Sequence, residues 1–299
     1  MRRVISGPPG LQLQLTVAWI LLGAVALLHA AESSANARAP KAEEVTDFSL
    51  LDVNGRCYQL RRQTEVKAVV LMIGGNGCPI VRQNVHKFQA LRQKFSGKKA
   101  RFWMINASPQ DDDASIKREA NELNINLPIL KDESQLVAYS LGVKRTAEVI
   151  AISTKDWTIF YRGALDDQLV EGGSKPEPTE NYLENALVAF LSGKDVALAK
   201  TRAAGCVVHY EAPLGKLEND ISYAKDVAPI LAAQCVSCHS EGNIGPFNMS
   251  SYKAVKGYSD TMREVLLNKQ MPPWHADPHY GKFQDDRSIS IAQARALVR

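Results

Sequence analysis

Ala68-Val-Val-Leu-Met-Ile73, followed five residues later by Cys78-Pro79, decides the first half of this chain. The run 68–73 contains no polar residue, and Val69, Val70 and Ile73 are β-branched. A strand reads as continuously apolar, rather than alternating, when both of its faces are buried, as in the centre of an α/β sheet. From Cys78 to Phe95 the pattern changes. Val81, Val85, Phe88, Leu91 and Phe95 recur at helical spacing and predict a helix with one buried stripe.

The flanking sequence extends this pattern. Residues 46–60 hold two short strand-like pieces, Phe48-Ser-Leu and Cys57-Tyr-Gln-Leu, separated by the turn signal Asn54-Gly55. Residues 101–106 read as a second buried strand. Residues 111–123 read as a helix opened by acidic side chains, which favour the positive end of its dipole. A short strand (127–130), a short helix (135–141), a hairpin (148–153 and 158–162) and a closing helix (179–191) complete a βαβαββα order. That order predicts an α/β layer fold over 46–192, thioredoxin-like in order and size. Residues 193–220 carry scattered Gly, Pro, Lys and polar residues with little periodicity and read as a linker.

The second half turns on Cys235-Val-Ser-Cys-His239. C-x-x-C-H is the attachment signature of a c-type haem. Two thiols one helical turn apart can each add to a vinyl group of one porphyrin, and the next imidazole can reach the iron. A zinc site would need a second ligand pair at similar spacing, and none is present. Residues 223–234, just before the motif, read as a short amphipathic helix. Met271, on the Pro-stiffened run Met271-Pro-Pro-Trp274, is the candidate second axial ligand, and His275 is the alternative. Met249, Met262 and His279 compete with them, and the bland reading of Met271 is core filling, which is what most methionines do. A helix is expected over 251–269 and another from about Ser290. The chain stops at Arg299 inside that last pattern, which suggests a C-terminal truncation of the haem domain, 221–299.

These motifs resemble one bacterial family. Tyr223-Ala-Lys-Asp-Val-Ala-Pro-Ile-Leu, the C-x-x-C-H run, Gly245-Pro-Phe, Met271-Pro-Pro-Trp-His-Ala-Asp-Pro278, Gly281-Lys-Phe and Asp286-Arg-Ser are similar to a c-type cytochrome domain fused behind a thioredoxin-like redoxin domain of AhpC/TSA type. The resemblance implies a small all-α cytochrome c-like domain, one covalent haem c and one-electron transfer. It also implies attachment on the outer side of the cytoplasmic membrane, hence a periplasmic or otherwise exported protein. A haem peroxidase with open or His-ligated iron, and a cytochrome with a catalytically silent redoxin docking module, are the alternative readings.

The N-terminus agrees with export. Arg2-Arg3 precede the uncharged run 15–28, and small residues follow at Ala30-Ala31 and Ser33-Ser34-Ala35. This is the order of a cleavable signal peptide, assigned to 1–31, with a polar spacer at 32–45. Left uncleaved, it would be a single membrane anchor. The chain has 299 residues, a net charge of +4 and no basic block, so nothing points to nucleic acid. The implied partner is a redox protein or a small thiol or peroxide substrate.

Of five cysteines, the haem motif uses two, leaving Cys57, Cys78 and Cys206. Cys78 stands where a buried strand gives way to a helix, a position that favours a thiolate, and is the candidate redox cysteine. The bland reading is a buried inert thiol. A thioredoxin would place a second cysteine three residues from Cys78, but Gly75 and Val81 stand there. A peroxiredoxin would place a Thr at Gly75. Ala147 replaces the proline expected in the loop 145–149, so its peptide bond is expected to be trans. Single-cysteine chemistry and pairing with Cys206 both remain open. Asp166-Asp167-Gln168 reads as a solvated turn.

Overall fold

The structure, a computed structural model, describes residues 43–97, 99–170, 173–210, 221–273, 281–284 and 286–298. The leader at 1–31, most of the spacer, and His275 and His279 lie outside the described residues. Among the described residues no helix is long and apolar enough to cross a membrane.

A hairpin of β1 (Ser49–Asp52) and β2 (Cys57–Gln59) opens the chain, and β3 (Ala68–Gly74), α1 (Pro79–Lys94) and β4 (Ala100–Asn106) follow. Next come α2 (Asp113–Glu122), β5 (Ile129–Lys131), α3 (Leu136–Ser140) and the antiparallel pair β6 (Val149–Ser153) and β7 (Ile159–Gly163). A two-stranded ribbon, β8 (Leu169–Val170) and β9 (Gly173–Ser174), precedes α4 (Tyr182–Leu191). The first seven strands form one mixed sheet in the order β2-β1-β5-β4-β3-β6-β7. β3 runs parallel to β4 and antiparallel to β6, so the apolar run of the sequence is interior to the sheet.

Both faces of β3 are covered. Val70 and Met72 pack with Val81, Val85 and Phe88 of α1 and Leu183 and Leu187 of α4. Val69, Leu71 and Ile73 pack on the other side with Trp103, Ile105, Phe48 and Val137. At about 2 kcal/mol for each large side chain, the five from Val69 to Ile73 contribute on the order of 10 kcal/mol.

The stretch expected to link two domains is bound along the sheet edge for much of its length. Arg162 N donates to Ala199 O and Thr201 N to Arg162 O, both at 3.0 Å. Thr146 N donates to Cys206 O at 2.8 Å, and Val208 N to Lys144 O at 3.0 Å. This strap, residues 199–210, takes up backbone groups that the loop after α3 and the outer strand β7 leave unpaired. Low periodicity hid it, because a strap held by its backbone needs no apolar pattern.

Beyond residue 220, a π turn at Tyr223–Val227 runs into α5 (Ala228–Gln234), followed by α6 (Tyr252–Gly257), α7 (Ser259–Leu267) and α8 (Ile291–Val298). The single helix expected over 251–269 is broken after Gly257, where Tyr258 stacks on Phe247 with ring centroids 4.0 Å apart. Gly is a poor helix former, and the ring contact holds the break. Leu267, Ala294 and Val298 pack into the second face of the sheet. Asn268, just after α7, accepts from the Ser49 hydroxyl at 2.7 Å and donates to the buried Asp47 carboxylate at 3.2 Å.

Gln135 ties three parts of the chain together. Its side-chain amide donates to Ala107 O (2.8 Å) and to His209 O of the strap (2.9 Å), and accepts from Arg295 of α8 (2.7 Å). Beside it, Asp132 is buried with one carboxylate oxygen accepting from Ala138 N at 2.7 Å and the other unpartnered. Burial pushes the Asp132 carboxyl up to about 6. A raised carboxyl binds its proton more tightly in the folded chain, so its contribution to stability is fully present below about pH 4 and is lost as pH rises through about 6. Denaturant titrations between those limits should show stability falling with pH from this group, and Asp132→Asn should flatten that part of the curve.

Candidate functional site

The loop Gly75-Asn76-Gly77 carries the chain from β3 to α1 and sets Cys78 at the helix N-cap, with Pro79 in the first turn. Carboxylates from α2 and the turn before it hold this loop. Asn76 N donates to Asp111 Oδ2 and Gly77 N to Glu119 Oε2, each at 2.8 Å. Arg82 pairs with the same Glu119 at 3.0 Å. The cysteine therefore sits on a braced turn rather than on a loose one.

Thr146 faces it from the loop before β6. Its Oγ1 lies 3.0 Å from Cys78 Sγ and accepts from Cys206 N at 2.9 Å. The hydroxyl can donate to a Cys78 thiolate, and Cys206 O, at 3.5 Å, is the other acceptor within its reach. Cys206 Sγ stands 3.5 Å from Cys78 Sγ. The approach depends on Gly205, because a Cβ there would meet Thr146 O at 1.8 Å. Ala147 takes a positive φ of 56°, and its N–H donates to Ile73 O at 2.7 Å, which pins the loop to the end of β3. Its peptide bond is trans, as the missing proline suggested.

The two sulfurs are unequal. Burial pushes the Cys78 thiol up, but the Thr146 hydroxyl, the N–H groups of Val81 and Cys206, and the Cys206 thiol favour the thiolate, and the net lies below an ordinary thiol. Cys206 moves the other way, raised by its hydrogen bond to Cys78, then by burial and the charge of Cys78. Cys78 is buried and Cys206 is exposed.

A second cluster surrounds the C-x-x-C-H run. Cys238 N and His239 N both donate to Cys235 O at 3.0 Å, so the motif forms one tight turn at the end of α5. His239 is 7 % exposed, and its Nδ1 lies 3.1 Å from Phe247 O. Gly245 crosses directly over it, and a Cβ there would come within 2.7 Å of the imidazole. Leu231, Met249 and Val255 form the core of this part, with Cys235, Phe247 and Met262 against it. Met249 is buried in that core, and Met262 packs partly buried against it. Met271 is half-buried on the turn after α7, where its N–H donates to Val265 O at 3.2 Å.

Residues 42–163 match the AhpC/TSA family model. An uncharacterized conserved protein from Geobacillus kaustophilus is 27 % identical and matches with a TM-score of 0.53, over 58 % of this chain and 94 % of that one. A hypothetical protein from Sinorhizobium meliloti 1021 is 24 % identical with a TM-score of 0.51, over 58 % of this chain and 97 % of its own. No curated protein matches in sequence. Residues 42–163 thus resemble a redoxin domain, and this part of the chain has a thioredoxin-like α/β fold with a mixed sheet. The family match ends at residue 163, ahead of the C-x-x-C-H segment.

Within the redoxin domain, the structure brings Cys78 and Cys206 together across 128 residues of sequence. Cys57 is exposed on β2 and takes no part. Thr146 escaped the sequence reading, although it lies in the loop singled out for Ala147. Asp166-Asp167-Gln168 is no solvated turn. Asp166 is buried and pairs with Lys87 of α1 at 2.5 Å, and Asp167 accepts from the N–H groups of Thr179 and Glu180 ahead of α4 at 2.8 and 2.9 Å.

Two measurements check this geometry. The rate of Cys78 alkylation, followed by peptide mass spectrometry against pH, should have its midpoint below that of an ordinary cysteine thiol. Gly205→Ala should lower stability by about 1–3 kcal/mol, because neither the strap nor the Thr146 backbone can yield without breaking their pairing.

Proposed function

We propose that this chain is an exported electron-transfer protein, in which a covalent c-type haem held by Cys235, Cys238 and His239 works beside a redoxin domain with thiol chemistry at Cys78. The observation that carries the reading is the buried His239 with Nδ1 set against a backbone carbonyl. A carbonyl only accepts, so Nδ1 holds the proton and Nε2 keeps the lone pair a metal takes. Such a bond also fixes the ring's orientation, as ligating histidines need. Cys235 and Cys238 are free thiols on one turn, the donor set for two thioether bonds to one porphyrin.

The bound haem supplies one-electron transfer at its iron. The chain's residues do the rest. Leu231, Met249 and Val255 make an apolar floor that excludes water from this part of the chain. Met271, or His275 in its place, would be the second residue to hold the iron, and a thioether there would raise the potential. The leader at 1–31 carries the assignment to the periplasm or an equivalent exported compartment. The redox partner is a protein, or a small thiol or peroxide.

Expression in a host that matures c-type cytochromes, followed by mass spectrometry of the denatured protein, tests the reading. One added haem should survive denaturation and vanish in the Cys235→Ala/Cys238→Ala double variant. Exported protein without haem, matured beside a control cytochrome that acquires it, would overturn the reading. Gly245→Ala should cut haem incorporation by displacing the imidazole. Met271→Ala should abolish the near-infrared sulfur-to-iron band of the oxidised protein, and an unchanged band would move the axial assignment elsewhere.

A further inference from the structure

We propose that Cys78 and Cys206 form a reversible dithiol–disulfide couple that exchanges with the thiols and disulfides of a partner, with Cys206 as the outward sulfur and Cys78 as the buried one. This rests on the thiol half of the reading above and is independent of the haem. It also replaces single-cysteine chemistry with a pair whose second member comes from the strap, outside the βαβαββα order.

The geometry is that of a pair held ready to close. A disulfide is about 2.05 Å long, so the sulfurs at 3.5 Å need to approach by about 1.5 Å. Three features keep them there. Cys206 is anchored by backbone bonds in both directions, N–H to Thr146 Oγ1 and C=O from Thr146 N. Gly205 permits the close crossing of the two backbones. Arg145 adds a bond from its guanidinium to Gly205 O at 2.9 Å.

Exposure assigns the roles. Exchange requires a thiolate to reach one sulfur of the disulfide along the S–S axis and expel the other. Cys206 is exposed, while Cys78 is only 6 % exposed beneath it. An incoming thiolate RS⁻ therefore attacks Cys206. The Cys206–Cys78 bond breaks, an RS–Cys206 bond forms, and Cys78 leaves as a thiolate received by the Thr146 hydroxyl. A second thiolate RS⁻ attacks the partner sulfur of the mixed disulfide, giving RSSR and releasing Cys206, which takes up a proton. Once Cys78 also takes up the second proton released by the two RSH, the protein disulfide and two RSH have become the protein dithiol and RSSR, and run backwards the same steps reoxidise the pair at the expense of a disulfide. A leaving group of lowered pKa leaves faster, and a stabilised thiolate stabilises the reduced form.

The test uses the full chain with glutathione as probe, with acid quenching and peptide mapping. Incubated with oxidised glutathione, the native protein should yield the Cys78–Cys206 peptide pair. Cys78→Ser should instead accumulate one glutathione on Cys206, because the group that expels it is gone. Cys206→Ser should glutathionylate Cys78 more slowly than the native chain forms its disulfide, by on the order of tenfold. Cys78→Ala serves if the serine variant misfolds, and Cys57→Ser should change nothing. If Cys78 takes up glutathione readily and no Cys78–Cys206 link forms, the pairing proposed here is wrong and single-cysteine chemistry stands. If neither sulfur reacts, the thiol reading of the redoxin domain falls with it, and the haem mass measurement is unaffected by either result.

Discussion

A strand that is apolar on both faces has to be covered on both faces, and most of this structure follows from that demand. From Val69 to Ile73 no side chain of β3 reaches solvent. Its burial is worth on the order of 10 kcal/mol, comparable to the whole net stability of a typical domain. One face is covered by α1 and α4, whose apolar stripes come from the surrounding α/β order. The other is covered by α3, by the N-terminal residues Val45 and Phe48, and by Leu267, Ala294 and Val298 from the C-terminal helices. The redoxin core is therefore completed by side chains from the segment that carries the C-x-x-C-H motif.

Polar contacts give that packing its register. Apolar burial is non-directional and would tolerate several placements of α7 and α8. Gln135 limits the choice, because its buried amide is satisfied only when Ala107, His209 and Arg295 all stand in place. Asp47 and Asn268 act similarly at the other end of the contact. A buried polar group that loses its partner costs about 1–3 kcal/mol, so each such group penalises a shifted arrangement. The same logic places the chemistry. Thr146 satisfies Cys206 N–H and the Cys78 sulfur at once, and the strap that brings Cys206 there is held by backbone bonds to β7 and to the loop after α3.

The elements of the redoxin domain were legible because each rests on local rules. A continuous apolar run marked β3, three-and-four spacing marked α1, and Asn54-Gly55 marked the β1–β2 turn. The C-x-x-C-H turn was legible because its residues lie within five positions of one another. The helix expected over 251–269 was misread, since the stacking of Tyr258 on Phe247 that holds its break joins residues from different elements. Asp166 and Asp167 looked like surface because nothing local to them shows Lys87 or the Thr179 and Glu180 amides arriving from elsewhere.

By itself the sequence determined which residues are candidates for chemistry: one cysteine at a helix start, a C-x-x-C-H run, and a loop lacking its proline. It also determined the order of strands and helices around them, because hydrophobic period and turn chemistry act over a few residues. Only the tertiary structure decided that Cys206 belongs with Cys78, that Thr146 stands between them, and that Cys206 is the exposed sulfur of the two. Those facts depend on a strap without apolar pattern, whose backbone hydrogen bonds are the same for any side chain. Pairing of that kind leaves almost no mark on sequence beyond a glycine at the point of closest approach, and Gly205 is that mark.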